Sequence, residues 1–212
     1  MKIISVNNLS IQRDDRPVIH DLSFSMQEQE RVFLHGEIGT GKSTLLHALL
    51  GFVPIHRGEI KLFDQRCHTE QDFTPFRGSQ IGLLFQNPDD QLFGPTVLDD
   101  VAFGPQNQGK TEREAKEIAY QHLVQLGIEH LQDRPVNLLS GGEKNFTALA
   151  GVLAMRPKIL LLDEPTNGLD SKNIAKLTAL LQQLELPMLV ACHDLAFSAT
   201  LADRVIDLPA LH

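Results

Sequence analysis

At 212 residues, 42% hydrophobic and 22% charged, the chain is long enough for one sizeable α/β domain and too short for two of equal standing. A formal net charge of −8, with Lys and Arg forming no block, argues against a nucleic-acid backbone as partner. No run approaches the roughly 18 apolar residues of a membrane span and no secretory signal opens the chain, so a cytoplasmic location is expected. Cys67 and Cys192 are too few and too far apart for a disulfide framework or a zinc site, and read as reduced structural thiols.

From residue 2 to 26, apolar and polar residues alternate in short runs, Ile3-Ile4-Ser5-Val6 and then Val18-Ile19 to Phe24-Ser25-Met26. They are broken by the polar turn Arg13-Asp14-Asp15-Arg16-Pro17, which predicts an antiparallel β opening. From Val32 onward solid apolar strands alternate with helical stretches, the pattern of a parallel sheet covered on both faces. Strands are expected at 31–35, 81–85, 158–162 and 188–192, with a strand-like run at 204–208 near the end. Residues 87 to 140 contain no such strand. They hold helical patterns near Val97 to Phe103 and from Glu112 to Leu126, where Ala115, Ile118, Ala119, Leu123 and Leu126 keep one face. Thr111 with Glu114 forms a plausible capping box for the second.

The first chemistry-bearing stretch is Gly36-Glu37-Ile38-Gly39-Thr40-Gly41-Lys42-Ser43-Thr44, which fits the phosphate-loop pattern G-x-x-x-x-G-K-[ST]. Its flanks suit it: Arg31-Val32-Phe33-Leu34-His35 is a short strand-like run, and Leu45, Leu46, Leu49 and Leu50 recur at helical spacing. Glycines let successive backbone N–H groups turn inward around a polyphosphate, and the helix starting near Lys42 adds the positive end of its dipole. Lys42 is expected to reach the β- and γ-phosphates and the Ser43 hydroxyl to ligate Mg²⁺, with Thr44 beside it. The fold class expected is an α/β P-loop NTPase: a parallel sheet flanked by helices, with an N-terminal antiparallel β subdomain and an inserted helical subdomain. Residues 1–212 read as one domain, with 1–86 and 158–212 as its β-rich core and 87–157 as the mainly helical part.

Ile159-Leu160-Leu161-Leu162 runs straight into Asp163-Glu164. In an open α/β sheet, ligands sit at the carboxyl ends of strands, so both acids are delivered to the same edge as the phosphate loop. Asp163 is expected to hold the Mg²⁺ shell and Glu164 to act as general base on the attacking water.

Leu139-Ser140-Gly141-Gly142-Glu143, Leu162-Asp163-Glu164-Pro165-Thr166-Asn167-Gly168-Leu169-Asp170 and Ala191-Cys192-His193-Asp194, taken with the phosphate loop and Gln86, resemble the nucleotide-binding subunits of ABC transporters. The motifs follow the family's order and spacing from about residue 3 to 208. The resemblance implies a head-to-tail dimer, homo or hetero, with two ATP molecules at its interface. Ser140, Gly141 and Gly142 of one subunit would act in trans on the γ-phosphate held by the other's loop. It further implies that Gln86 joins the Mg²⁺ and water site and hinges the helical part, that His193 contacts the γ-phosphate and positions the water, and that Asp170 lies in the interface loop.

The run from Phe85-Gln86-Asn87-Pro88 through Phe93-Gly94-Pro95-Thr96-Val97 to Asp99-Asp100-Val101-Ala102-Phe103-Gly104-Pro105 resembles the ATPases of energy-coupling-factor importers, the cobalt/nickel type among them. This implies an ATP-hydrolysing importer subunit at the cytoplasmic face of the membrane. It would take up a transition-metal ion, cobalt or nickel, or alternatively a vitamin such as biotin, with a transmembrane coupling protein and a substrate-binding membrane component. A non-transport ABC ATPase is the reading from another class, and a module that holds ATP without hydrolysing it a third.

Four residues depart from the family's pattern. Arg13 stands where an aromatic ring usually stacks on adenine, and its guanidinium plane could serve instead. Asn145-Phe146 replaces Gln-Arg after Glu143-Lys144, a lost cation expected to weaken polar contacts, and His35 replaces a small apolar residue. With the chain ending at His212, regulation through a C-terminal tail is not expected.

Overall fold

The computed structural model describes residues 1–14 and 16–210, so Asp15 of the expected turn lies outside the described residues. The chain opens with β1 (Lys2–Arg13) and β2 (Arg16–Gln27), then β3 (Arg31–His35), α1 (Lys42–Ala48), β4 (Arg57–Leu62), β5 (Gln65–Cys67) and the single-turn α2 (Glu70–Phe73). β6 (Ile81–Leu84) leads into α3 (Val97–Asn107), α4 (Glu112–Gln125) and α5 (Gly141–Ala154). β7 (Ile159–Asp163), α6 (Ser171–Gln183), β8 (Met188–Ala191), α7 (Leu195–Leu201) and β9 (Arg204–Asp207) complete it. The residues group into two units, Met1–Arg77 with Glu185–His212, and Gly78–Leu184, so that β6 and β7 fall with the helices.

In the first unit, β2-β1-β4-β5 form an antiparallel sheet. Alternation sets its register: Ile4 faces Leu62 and Val6 faces Ile60, each of the four at most 1% exposed. Asn8, with φ 47°, sits where the pairing slips between Val6 and Leu9, a left-handed turn that Asn tolerates better than most residues. The parallel strands run β8-β3-β9. Val32, Leu34, Leu189 and Val190 are fully buried, which explains why these strands read as unbroken apolar runs. Phe33 meets Phe197 of α7 edge to face at 5.9 Å.

His35 finds its reason here. Its backbone carbonyl accepts from Leu208 N at 2.8 Å, its Nε2 hydrogen-bonds the Ser198 hydroxyl at 2.8 Å, and Ser198 is only 2% exposed. The ring joins α7 to the strand that enters the phosphate loop, a contact no local pattern announces. Cys67 is buried, which pushes its thiol up to about 11, as befits an inert structural cysteine.

In the second unit, β6 pairs with β7 in parallel from Ile81↔Ile159 to Leu84↔Leu162. Helices α3, α4 and α5 pack on one another through Val101 and Ala102, Ala115, Ala119 and Leu123, and Phe146, Leu149 and Val152, all 2% exposed or less. The capping box predicted at Thr111 is present: Glu114 N donates to the Thr111 hydroxyl at 3.3 Å and Thr111 N to Glu114 Oε2 at 2.9 Å. Helix α3 runs past its expected end at Phe103, through Gly104 and Pro105 to Asn107. A Cβ on Gly104 would stand 2.5 Å from Met155 Cγ, and Gln108 just beyond donates to the carbonyls of Gly78 and Met155 at 2.8 and 3.0 Å. Close packing at the end of α5 thus carries the helix through residues that locally favour a stop.

Asp100 anchors the loop before α3. Its Oδ1 accepts from Phe93 N at 2.8 Å and Gly94 N at 2.6 Å, and it is 8% exposed. Burial raises its carboxyl above the ordinary range, against the pull of those two N–H groups. The folded state therefore holds this proton more tightly than the unfolded one, so the stability the group contributes is present at low pH. It is lost as pH climbs from the ordinary carboxylate value of about 3.9 through the raised one. Asp100→Asn keeps an acceptor for both N–H groups and cannot ionise. Thermal denaturation is expected to show the variant gaining on the wild type as pH rises through that window; a difference flat with pH would contradict the assignment.

Candidate nucleotide site

Each unit delivers its chemistry to the carboxyl ends of its own strands. In the first, β3 runs into the phosphate loop, whose Gly36, Gly39 and Gly41 have φ of 151°, 89° and 90°. A Cβ on Gly41 would lie 2.8 Å from Val18 Cγ1, and one on Gly36 2.5 Å from Thr40 Oγ1 and 2.8 Å from the Leu208 carbonyl, so both must be glycine. Thr40 fastens the turn by donating to the Glu37 carbonyl at 3.0 Å. Lys42, 6% exposed, opens α1 and folds back, its Nζ donating to the carbonyls of Gly36 at 2.8 Å and Glu37 at 3.1 Å. Ile38 at the tip is 95% exposed, and Ser43 and Thr44 are half-buried in the first turn of α1.

His193 is exposed just beyond β8. Because β8 lies beside β3, with Leu34 opposite Ala191 and Cys192 N donating to the Leu34 carbonyl at 3.3 Å, His193 shares the edge that holds the phosphate loop. Asp194 then caps α7, accepting from Ala196 N and Phe197 N at 3.0 Å each. Arg13, at the end of β1, lines an open cavity with Ser43, Thr44, His47, Phe52 and Pro54. The substituted residue therefore stands beside the start of α1.

In the second unit, Gln86 follows β6 by two residues, exposed, Asp163 ends β7 and Glu164 follows it, 2% and 8% exposed. The in-register pair Leu84↔Leu162 puts all three at one edge. Glu164 has φ 45°, a left-handed conformation rare for a residue with a side chain. Ser140 caps α5, with Glu143 N donating to its hydroxyl at 3.4 Å and its own N–H donating to Glu143 Oε2 at 2.7 Å, a bond that holds the Glu143 carboxyl below its usual range. A Cβ on Gly142 would press on Asn173 Nδ2 at 2.8 Å, whereas one on Gly141 would meet nothing within 4 Å. Asp170 caps α6 by accepting from Asn173 N at 2.8 Å.

The contacts of two side chains of this unit escaped sequence reasoning. Gln91 accepts from Phe85 N at 3.2 Å and donates to the Ala148 carbonyl at 3.3 Å, tying the strand end before Gln86 to α5. Asn145, 3% exposed, donates to the Pro165 carbonyl at 3.2 Å. A polar residue on the apolar face that Leu149 and Val152 define is the signal that could have found it. Phe146, at the position of the missing cation, is buried, and Lys176 Nζ lies 4.6 Å from the centre of its ring. Asp89 also pairs with Lys144 at 2.6 Å, joining the loop after Gln86 to the first turns of α5.

No group of three or more His, Cys, Asp or Glu side chains suited to a metal ion occurs among the described residues. Each unit has hard oxygen donors of the kind that suits Mg²⁺: the hydroxyl of Ser43 in the first, the carboxylate of Asp163 and the amide oxygen of Gln86 in the second. A glycine cradle closed by a buried lysine, together with paired acids at a strand end, defines a P-loop nucleoside triphosphatase.

Comparison with known proteins gives the family. The ABC transporter family matches residues 19–167. An uncharacterized ABC transporter ATP-binding protein of Haemophilus influenzae is 63% identical over 206 residues, 97% of this chain and 94% of that one. The cobalt import ATP-binding protein CbiO of Rhodobacter capsulatus is 42% identical over 191 residues, 88% of this chain and 68% of that one. Among solved structures, cbiO1 of Clostridium perfringens, part of the ABC transporter complex cbiONQ, superposes with a TM-score of 0.86 at 33% identity, covering 98% of this chain and 84% of that one. The dimeric post-hydrolysis state of the cassette MJ0796, bound to ADP and Pi, superposes at 0.87 with 26% identity, covering 97% and 94%. The chain belongs to the ABC transporter family: it is an ATP-binding subunit and an ATP hydrolase.

Proposed function

We propose that this chain is the motor subunit of an energy-coupling-factor type importer and drives uptake of a transition-metal ion, cobalt or nickel. The cargo assignment takes its support from the likeness to CbiO and cbiO1. The working enzyme sits at the cytoplasmic face against a transmembrane coupling protein and a substrate-binding membrane component, a reading that the likeness to CbiO and to cbiO1 of the cbiONQ complex supports. Lys42 and the loop amides hold the β- and γ-phosphates, Arg13 lies against the base, Glu164 takes the proton of the attacking water, and His193 orients that water against the γ-phosphate. Ser43, Asp163 and Gln86 would hold Mg²⁺, which when bound supplies positive charge to the phosphate oxygens. Residues 87–157 act as the helical part that Gln86 hinges, and the Asp170 loop lines the interface between two subunits.

The observation that carries the two-subunit reading is Gly141. Its φ is not in the left-handed region and a Cβ there would touch nothing, yet glycine at a helix start sacrifices stability. A residue kept small for no internal reason leaves room for something external, here the γ-phosphate held by another subunit's loop. Each chain is then half of two sites. Turnover per enzyme is expected to fall as the protein is diluted below its dimer dissociation constant while ATP binding persists. Hydrolysis strictly proportional to enzyme concentration down to monomeric dilution would refute it.

A further inference from the structure

Asn145 is buried on a helix face shared with Leu149 and Val152, and its Nδ2 donates to the Pro165 carbonyl at 3.2 Å. That bond fixes the amide, because only the nitrogen can face a carbonyl oxygen. Its Oδ1 is then left buried with no hydrogen-bond partner among the described residues. An orphaned acceptor is costly, and a leucine would fill the same space without it, so packing does not account for the amide. What the amide holds is the residue after Glu164. Glu164 carries φ 45° directly before a proline, a conformation its own Cβ and the proline ring both disfavour. It persists because its turn is fastened: the Glu164 carbonyl accepts from Asn167 N at 2.9 Å, and the buried Pro165 carbonyl is taken by Asn145.

We propose that Asn145 is a positioning residue for hydrolysis: by clamping the Pro165 carbonyl to α5 it fixes the backbone of Glu164 and so where the carboxylate stands. The proposal rests on Glu164 being the general base. Its test is the Mg·ATP turnover of the full chain in Asn145→Leu, Asn145→Gln, Glu164→Gln and the double variant Glu164→Gln/Asn145→Leu.

Asn145→Leu removes both the clamp and the orphan, so it is expected to melt no lower than wild type and to keep its KM for ATP. Its kcat should fall about tenfold, the order of loss that a displaced catalytic group brings. Asn145→Gln retains a donor and is expected to return kcat to within about threefold of wild type, and Asn145→Leu should cost less than about twofold more once Glu164→Gln has removed the base. The proposal is overturned if Asn145→Leu leaves kcat intact while Glu164→Gln lowers it. It is overturned equally if Asn145→Gln is as slow as Asn145→Leu, or if Asn145→Leu costs the same factor in both backgrounds. Unimpaired turnover in Glu164→Gln marks a different failure, that of the base assignment itself, and takes the proposal with it. Should Asn145→Leu not fold, Asn145→Ala is read by the same kcat, KM and double-variant criteria.

Discussion

Glu164→Gln is expected to slow ATP turnover by roughly 10²-fold or more, the order of a lost general base, while leaving ATP bound. Glu164 stands at the end of a strand whose five residues are all buried, is 8% exposed, and has its backbone fixed by the turn to Asn167. Glutamine preserves the shape and an acceptor oxygen but cannot take the proton of the attacking water. The glycines and Lys42 of the phosphate cradle are untouched by the substitution, so affinity and turnover should separate: equilibrium titration with ATP stays near wild type while single-turnover hydrolysis collapses. Normal single-turnover rates would remove Glu164 from the chemistry.

Lys42→Ala is expected to act on the other half of the problem. The Lys42 ammonium spans the loop between the Gly36 and Glu37 carbonyls and is 6% exposed, a strut of the cradle and, in the proposed site, the charge offered to the phosphates. A hydrogen bond from a charged donor is worth about 1.5–3 kcal/mol, which corresponds to roughly a ten- to hundredfold weaker dissociation constant for ATP. Calorimetric titration of the purified chain checks it. Affinity within about twofold of wild type would leave Lys42 no role in holding the triphosphate.

The parts of the molecule that sequence reading recovered are those whose cause is local. Val32 to Leu34 and Ile159 to Leu162 read as strands because both faces are covered and every position is apolar. The phosphate loop reads because three glycines and a lysine at fixed spacing have few other uses, and the box at Thr111 reads because its two partners are three residues apart. What escaped depends on residues distant in the chain. Helix α3 passes through Gly104-Pro105 because Met155 packs there, and His35 is a histidine because Ser198 lies opposite it. Lys176 lies over the Phe146 ring, and Asn145 is explained only by a proline carbonyl twenty residues away. The departure from the family's pattern at Asn145-Phe146 thus has contacts of its own in the fold.

The cap on α5 has a consequence for how tightly its first turn is held. The Ser140 hydroxyl receives the Glu143 amide proton through one of its lone pairs, and the Glu143 carboxylate is occupied by the Ser140 amide. The hydroxyl also bonds that carboxylate, so Ser140 and Glu143 satisfy each other through side chain and backbone together, at the mouth of a helix whose dipole already favours negative charge. Threonine could inherit the cap, while alanine would forfeit both of its side-chain bonds at once.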